Sequence, residues 1–315
     1  MKPTIIIPVY NNQSTLNDTL RSLLTYKKEI EKIIIINDGS TDSSLKIINI
    51  FSKILSNKFF KIINHKKSRG LAYSYNEGIT KSETEIVITM HADIILKKNA
   101  INLILSPLRK KDVVASVPIV EYPRNIWKKY SFWQKCHFSR LVGKSYSGLG
   151  GKFDAVRKDT FMKVYLFDGN TFLRAGEDGD MAKKLSKIGK IANSDAHIIH
   201  VHSKELNFGL KKYIHKNAQY AEAQGASLRK YGILNFKYFV LSFFREFLVV
   251  SLFIPKVRVL SIILIIIYSV AYTKEVYLSE YKNPKIIILP IVNTYLLFIS
   301  CFYSARGFIS GKQKI

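Results

Sequence analysis

Residues 4–9 read Thr-Ile-Ile-Ile-Pro-Val and run straight into Tyr10-Asn11-Asn12. The apolar positions are consecutive rather than alternating, and the isoleucines and valine are β-branched. This predicts a short strand buried on both faces, the pattern of a parallel sheet covered by helices. The same texture recurs outward from this stretch. Ile33 to Ile36 stops at Asn37-Asp38-Gly39-Ser40-Thr41-Asp42, and Phe59 to Ile63 gives a third strand. Glu85 to Met90 gives a fourth, running into His91-Ala92-Asp93, and residues 113–117 a fifth. Between them Leu16, Leu20, Leu23 and Leu24 fall at helical spacing behind Ser14 or Thr15, either of which can cap the helix. Segments 45–55, 71–80 and 97–108 also read as helices. The expectation is an α/β fold with a mostly parallel sheet.

Ligands of such sheets bind beyond the carboxyl ends of the strands. Three of those ends carry polar clusters: Tyr10-Asn11, Asp38-Gly39-Ser40 and His91-Ala92-Asp93. No Gly-x-Gly-x-x-Gly and no phosphate-binding P-loop occurs, which argues against a dinucleotide enzyme or an NTPase.

The 315 residues are 47% hydrophobic yet carry 49 Lys+Arg against 23 Asp+Glu, a formal charge of +26. That balance suits an anionic partner. The cations form no long tail and no RNP-type segment appears, so nucleic acid is not an expected partner. Two cysteines, Cys136 and Cys301, lie in unlike contexts and point to a reducing compartment rather than a disulfide framework. The apolar run before Pro8 is too short for a secretory signal, so the catalytic part is expected in the cytoplasm.

From about residue 238 the texture changes. Residues 238–254 are apolar around Arg245-Glu246, and 257–273 and 286–303 are long apolar stretches joined by a polar link. Two central charges disfavour spanning by the first stretch. It reads as an interfacial helix, and the later two read as a transmembrane hairpin of roughly 25–27 Å. Basic flanks at both ends would keep both termini on the cytoplasmic side of a cell membrane, in a multi-pass arrangement. The alternative is a buried helical subdomain. The expected division is 1–235 for the α/β domain and 236–315 for the membrane-associated helices.

Four motifs in order carry a resemblance. Ile-Ile-Pro-Val-Tyr-Asn-Asn at 6–12, Asn-Asp-Gly-Ser-Thr-Asp at 37–42, Arg-Gly-Leu-Ala at 69–72 with Asn76 and Gly78, and Gly-Glu-Asp at 176–178 resemble family 2 glycosyltransferases over roughly residues 3–230. The resemblance implies a GT-A fold, an α/β sandwich for nucleotide-sugar donors, and inversion at the anomeric carbon. It places Pro8, Tyr10 and Asn11 at the rim of the nucleoside pocket, with Asp38 accepting a hydrogen bond from the base and Arg69 near the nucleotide. A turn role before Gly39 is the other reading of Asp38.

His91-Ala92-Asp93 stands where that family has an Asp-x-Asp metal motif, so the first carboxylate is replaced here. Asp93 remains the expected ligand of Mg²⁺ or Mn²⁺. His91 is either a nitrogen ligand or a strand-end histidine bonded to backbone. His200 is a further metal or diphosphate candidate, and on a strand it would share a face with His202 while His197 points away. The resemblance makes Asp178 the general base on the acceptor hydroxyl, with Glu177 the fallback. Helix capping is the alternative for these acids, and Asp180 fits it better.

The segment 122–158 interleaves aromatic and basic residues, among them Trp127, Lys128, Tyr130, Trp133 and Arg140. Anionic headgroups or a phosphorylated lipid would suit it. Together these readings predict transfer of a sugar from a nucleotide-sugar donor to a hydroxyl of a lipid-linked glycan or glycolipid. A polyprenyl phosphate is the second acceptor, and a catalytically degenerate nucleotide-binding scaffold the rival of another class.

Overall fold

The computed structural model describes residues 1–202 and 208–315. Its strands are β1 (Thr4–Val9), β2 (Lys32–Asn37), β3 (Phe60–Asn64), β4 (Ile86–Met90), β5 (Ile94–Leu96), β6 (Val113–Glu121), β7 (Ser145–Ser147), β8 (Phe153–Arg157) and β9 (Lys190–His200). They form one sheet in the order β3-β2-β1-β4-β8-β6-β9-β5, with β7 on β6. The five strands expected from the apolar runs are all present.

The sheet is mixed rather than mostly parallel. β3, β2, β1 and β4 pair in parallel, as do β6 and β9. β8 runs antiparallel to both β4 and β6, β7 to β6, and β5 to β9. The reason is connection length. Helices Leu16–Leu24, Ser44–Ile54 and Leu71–Lys81 supply the crossovers that parallel neighbours need. Only three residues separate β4 from β5, too few for a crossover, so β5 leaves its neighbour and pairs with β9.

Ile5 to Ile7 and Ile33 to Ile36 are fully buried, as strands covered on both faces must be. The helix Leu71–Lys81 lies tightly on β1, because a side chain at Gly78 would overlap Ile6. Tyr75, Ile79, Phe161 and Leu185 complete that core with Ile6 and Ile34.

The chain divides into two compact units: Met1–Pro123, Gly143–Gly169 and Glu177–Lys204, which hold the sheet, and Arg124–Val142, Asn170–Gly176 and Glu205–Ile315. The second unit is helical around Trp127, Trp133, Tyr213 and Leu296. Its longest helices, Leu210–Tyr231 and Leu289–Ser310, meet backbone to backbone, since a Cβ on Gly225 would overlap the Ser304 carbonyl oxygen and one on Gly307 that of Glu222.

This unit corrects the expected transmembrane hairpin. Among the described residues no helix is long and apolar enough to cross a membrane, which overturns the multi-pass placement in a cell membrane. The stretch 257–273 yields the 14-residue helix Arg258–Ala271. At 1.5 Å per residue that is about 21 Å, against about 30 Å of hydrocarbon. Most of the 286–303 stretch lies in the 22-residue helix Leu289–Ser310, whose Asn293, Ser300 and Ser304 are buried. Asn293 donates to the Ser269 carbonyl and to Thr273, and Ser300 and Ser304 donate to Glu246 at 2.6 and 2.8 Å. The expected interfacial stretch 238–254 is two short helices, Phe236–Ser242 and Phe244–Ser251, and Glu246 is buried at their hydrogen-bonded face. The C-terminal apolar runs thus form a helical subdomain in place of membrane-spanning helices, though the helix Arg258–Ala271 leaves Val259, Leu260, Ile263, Ile266 and Ile267 exposed.

Candidate active site

The strand ends that looked functional in the sequence are tied together by side chains. At the end of β1, Asn11 adopts φ 55° and its side-chain oxygen accepts from the Thr41 N–H at 2.8 Å, while Ser40 Oγ accepts from the Asn11 N–H at 3.2 Å. The first two loops therefore form one rim. Pro8 is buried within β1, in register with Ile36, and Tyr10 stands half-exposed beside it.

Asp38 is buried and saturated. Its Oδ1 meets His65 Nδ1 at 2.6 Å and the Arg69 N–H at 2.8 Å; its Oδ2 meets Ser68 Oγ at 2.7 Å and the Gly70 N–H at 3.0 Å. Burial would raise its pKa, but these hydrogen bonds together hold it below the ordinary value. All four lone-pair positions are occupied, so a base N–H would have to displace one of them. In this geometry Asp38 organises the 65–70 loop, and His65 relays it to Glu77 at 2.7 Å. Arg69 is carried on that loop with its guanidinium 3.2 Å from the Tyr73 ring centroid.

Beyond β4, His91, Asp93 and His200 bring one ligand atom each within 4.8 Å of one another. His200 Nε2 is 3.1 Å from Asp93 Oδ1, and His91 Nδ1 is 4.0 Å from it. The pairing of β5 with β9 places Ile94 opposite His200 and so delivers this histidine to Asp93. His202 approaches Asp93 Oδ2 at 4.0 Å and lies tilted against His200 with ring centres 3.7 Å apart, while His197 turns away to Glu121 at 2.7 Å.

The cluster fits a divalent cation on its own chemistry. Asp93 Oδ1 is buried and, among the described residues, accepts no well-aligned hydrogen bond, the nearby His200 Nε2 included. Burial pulls His91 down to about 3, with Asp93 opposing and Lys152 and His200 adding; burial and Lys152 pull His200 well below the ordinary value. Both imidazoles are therefore neutral, the form that binds metal.

Asp178 and Glu177 open the helix Glu177–Leu185. Asp178 Oδ1 accepts the Gly179 N–H at 2.7 Å. Asp180 is buried and pairs with Lys184 at 3.0 Å. Tyr75 is fully buried in the helix Leu71–Lys81. Its hydroxyl donates to the Gly151 carbonyl at 2.7 Å, and its pKa is raised by burial and then by Asp154, Glu177, Asp93 and Asp178. One phenol thus feels the carboxylates of both groups. Sequence reasoning missed Tyr75, Asp154, Lys152 and the His65–Glu77 pair.

Comparison with known proteins decides the family. The sequence profile named Glycosyl transferase family 2 matches residues 4–164, half of the chain. The chain belongs to glycosyl transferase family 2. Short stretches resemble curated members: 59 residues, 18% of the chain, are 46% identical to a poly(ribitol-phosphate) beta-glucosyltransferase of Bacillus spizizenii. Another 45 residues, 14% of the chain, are 44% identical to a poly-beta-1,6-N-acetyl-D-glucosamine synthase of Staphylococcus aureus. The matched parts span only 9% and 11% of those relatives.

Among solved structures, a mannosyltransferase from Pyrobaculum calidifontis in complex with GDP-Man and Mn²⁺ superposes with TM-score 0.61 at 13% identity, over 98% of this chain and 88% of that one. GalNAc-T7 with UDP, GalNAc and Mn²⁺ superposes with TM-score 0.52 at 18% identity, over 71% and 51%. These likenesses show the fold: the mixed sheet of this family 2 member is of the GT-A type.

Proposed function

We propose that this protein is an inverting, metal-assisted glycosyltransferase that moves a sugar from a nucleotide-sugar donor to a hydroxyl of a lipid-linked glycan or glycolipid. The observation that carries the reading is the Gly150-Gly151 turn, where a Cβ on Gly151 would stand 3.4 Å from His91 Nε2 of the metal cluster and one on Gly150 would stand 3.7 Å from Asp178 Oδ2. Such a site has a place for the leaving diphosphate and, separately, a carboxylate for the attacking hydroxyl.

Within it, Tyr10, Asn11 and the loop bearing Arg69 form the nucleoside rim, and Asp38 holds that loop in shape. A divalent cation held by His91, Asp93 and His200 would neutralise charge growing on the diphosphate. Two nitrogens and one carboxylate suit Mn²⁺ better than Mg²⁺, which prefers an all-oxygen shell. Asp178 takes the acceptor proton, with its Oδ1 fixed by the Gly179 N–H. Glu177 is the alternative base. Attack from the face opposite the diphosphate inverts the anomeric carbon. A lipid-borne acceptor is favoured by the exposed isoleucines of the helix Arg258–Ala271, a surface its apolar tail could meet.

The test is release of nucleoside diphosphate from UDP-glucose, UDP-N-acetylglucosamine and GDP-mannose, with and without Mn²⁺. Turnover of at least one donor that needs Mn²⁺ and falls at least about 100-fold in Asp178→Asn is expected. Turnover independent of Mn²⁺, or near-normal in that variant, would sink the mechanism.

A further inference from the structure

One cation stands inside the site without a role in the scheme so far. The Lys152 carbonyl accepts the His91 N–H at 3.3 Å, so this residue sits beside the end of β4. Its side chain turns inward. Nζ donates to the Gly150 carbonyl at 3.4 Å and lies 5.7 Å from the centre of the Tyr146 ring. Burial alone would push the amine towards its neutral form, yet Tyr146, Asp178 and Asp154 outweigh burial and keep it charged.

Gly150 shows where the ammonium points. A Cβ at this position would stand 2.5 Å from Lys152 Nζ and 3.7 Å from Asp178 Oδ2. The lysine occupies the space a side chain would fill, and Asp178 Oδ2 borders that space without closing an ion pair to Nζ. A buried ammonium is unfavourable unless a carboxylate faces it, and the reverse holds for the carboxylate.

We infer that Lys152 is a positioning residue, its ammonium acting across the space at Gly150 to set the orientation in which the Asp178 carboxylate receives the acceptor proton. The inference rests on the reading of Asp178 as base. In the step itself the acceptor O–H proton passes to Asp178 and the new bond forms between acceptor oxygen and anomeric carbon. The electron pair of the breaking carbon–oxygen bond leaves on the diphosphate. Lys152 keeps its protons throughout and acts only through Asp178.

A double-mutant cycle tests this. The assay is Mn²⁺-dependent release of nucleoside diphosphate from UDP-glucose, UDP-N-acetylglucosamine and GDP-mannose, with water standing in for the acceptor hydroxyl. Lys152→Met, which keeps length and removes charge, should lower kcat about 10- to 100-fold and leave donor KM within about twofold. In an Asp178→Asn background the same substitution should change kcat less than about threefold, because the group it positions is gone. Gly150→Ala gives a second route. Its Cβ would overlap only the end of a flexible side chain, with Asp178 Oδ2 at ordinary contact distance, so the variant should melt like the parent while kcat falls as in Lys152→Met.

A full, additive loss in the Asp178→Asn background would overturn the role of Lys152, as would a change in KM at unaltered kcat. If Asp178→Asn itself turns over normally, the base reading fails and this inference with it. Absence of turnover with all three donors counts against the activity and therefore against both.

Discussion

Mn²⁺ should bind this protein almost as tightly at pH 5.0 as at pH 7.5. An imidazole of ordinary pKa, about 6.5, is roughly 97% protonated at pH 5.0. Proton competition would then weaken a metal site about 30-fold per histidine, or about 1,000-fold and 4 kcal/mol for two. Here burial holds His91 at about 3, and His200 is also pulled well below its usual value. At pH 5.0 His91 would be about 99% neutral, so the dissociation constant should change less than about threefold. Isothermal titration with MnCl₂ at the two pH values measures it, with His200→Ala as the variant that loses binding. A fall in affinity of 100-fold or more would refute the reasoning, because it would mean that the histidines titrate as exposed ones do. The same depressed value has a consequence for folding. The unfolded chain takes up the His91 proton first, so stability is intact above about pH 6.5 and is lost as pH falls towards 3. At pH 5.0 the loss from His91 is about 2 kcal/mol. Mn²⁺ at 100 times its dissociation constant should return about 2.7 kcal/mol.

Asp154 titrates in the opposite sense. Burial raises it to about 7, against the N–H groups of Gly150 and Gly151, which donate to Oδ2 at 2.8 and 2.6 Å. A carboxyl raised on folding contributes stability at low pH that is lost as pH rises from its unfolded value through 7. Relative to Asp154→Asn, the parent should therefore gain about 2–3 kcal/mol between pH 7 and pH 5, read from urea midpoints; parallel pH curves for the two proteins would contradict this. Gly225→Ala should destabilise the helical unit by about 3 kcal/mol or more despite the better helix former, because the new methyl would overlap the Ser304 carbonyl oxygen and stand 2.8 Å from its carbon. An unchanged urea midpoint would show that the two helices can separate freely.

Much of the donor half was legible in the chain. Consecutive isoleucines at 5–7 and 33–36 can be satisfied only by burial on both faces, and they are buried so. The strand ends follow from where those runs stop, and with them the polar clusters at Tyr10, Asp38 and His91–Asp93. The proposal of Asp178 as base came from the family resemblance rather than from local pattern. The direction of the later strands was not, because it depends on how much chain is left for a crossover and on which edge remains open.

By itself the sequence determined the local elements, the family motifs and the residues able to carry charge. Only the tertiary structure decided their partners. Hydropathy along 257–273 and 286–303 cannot distinguish lipid from protein as the apolar surroundings, whereas the bonds from Ser300 and Ser304 to Glu246 show protein packed there. Asp38 read as an open acceptor until His65, Ser68 and two backbone N–H groups filled it from up to 32 positions away. Lys152 had no signal of its own, since the surroundings of an ammonium exist only in the folded chain. Local pattern sets what each segment can bury; pairing of charges across long separations appears only when the chain has folded them into one low-dielectric space.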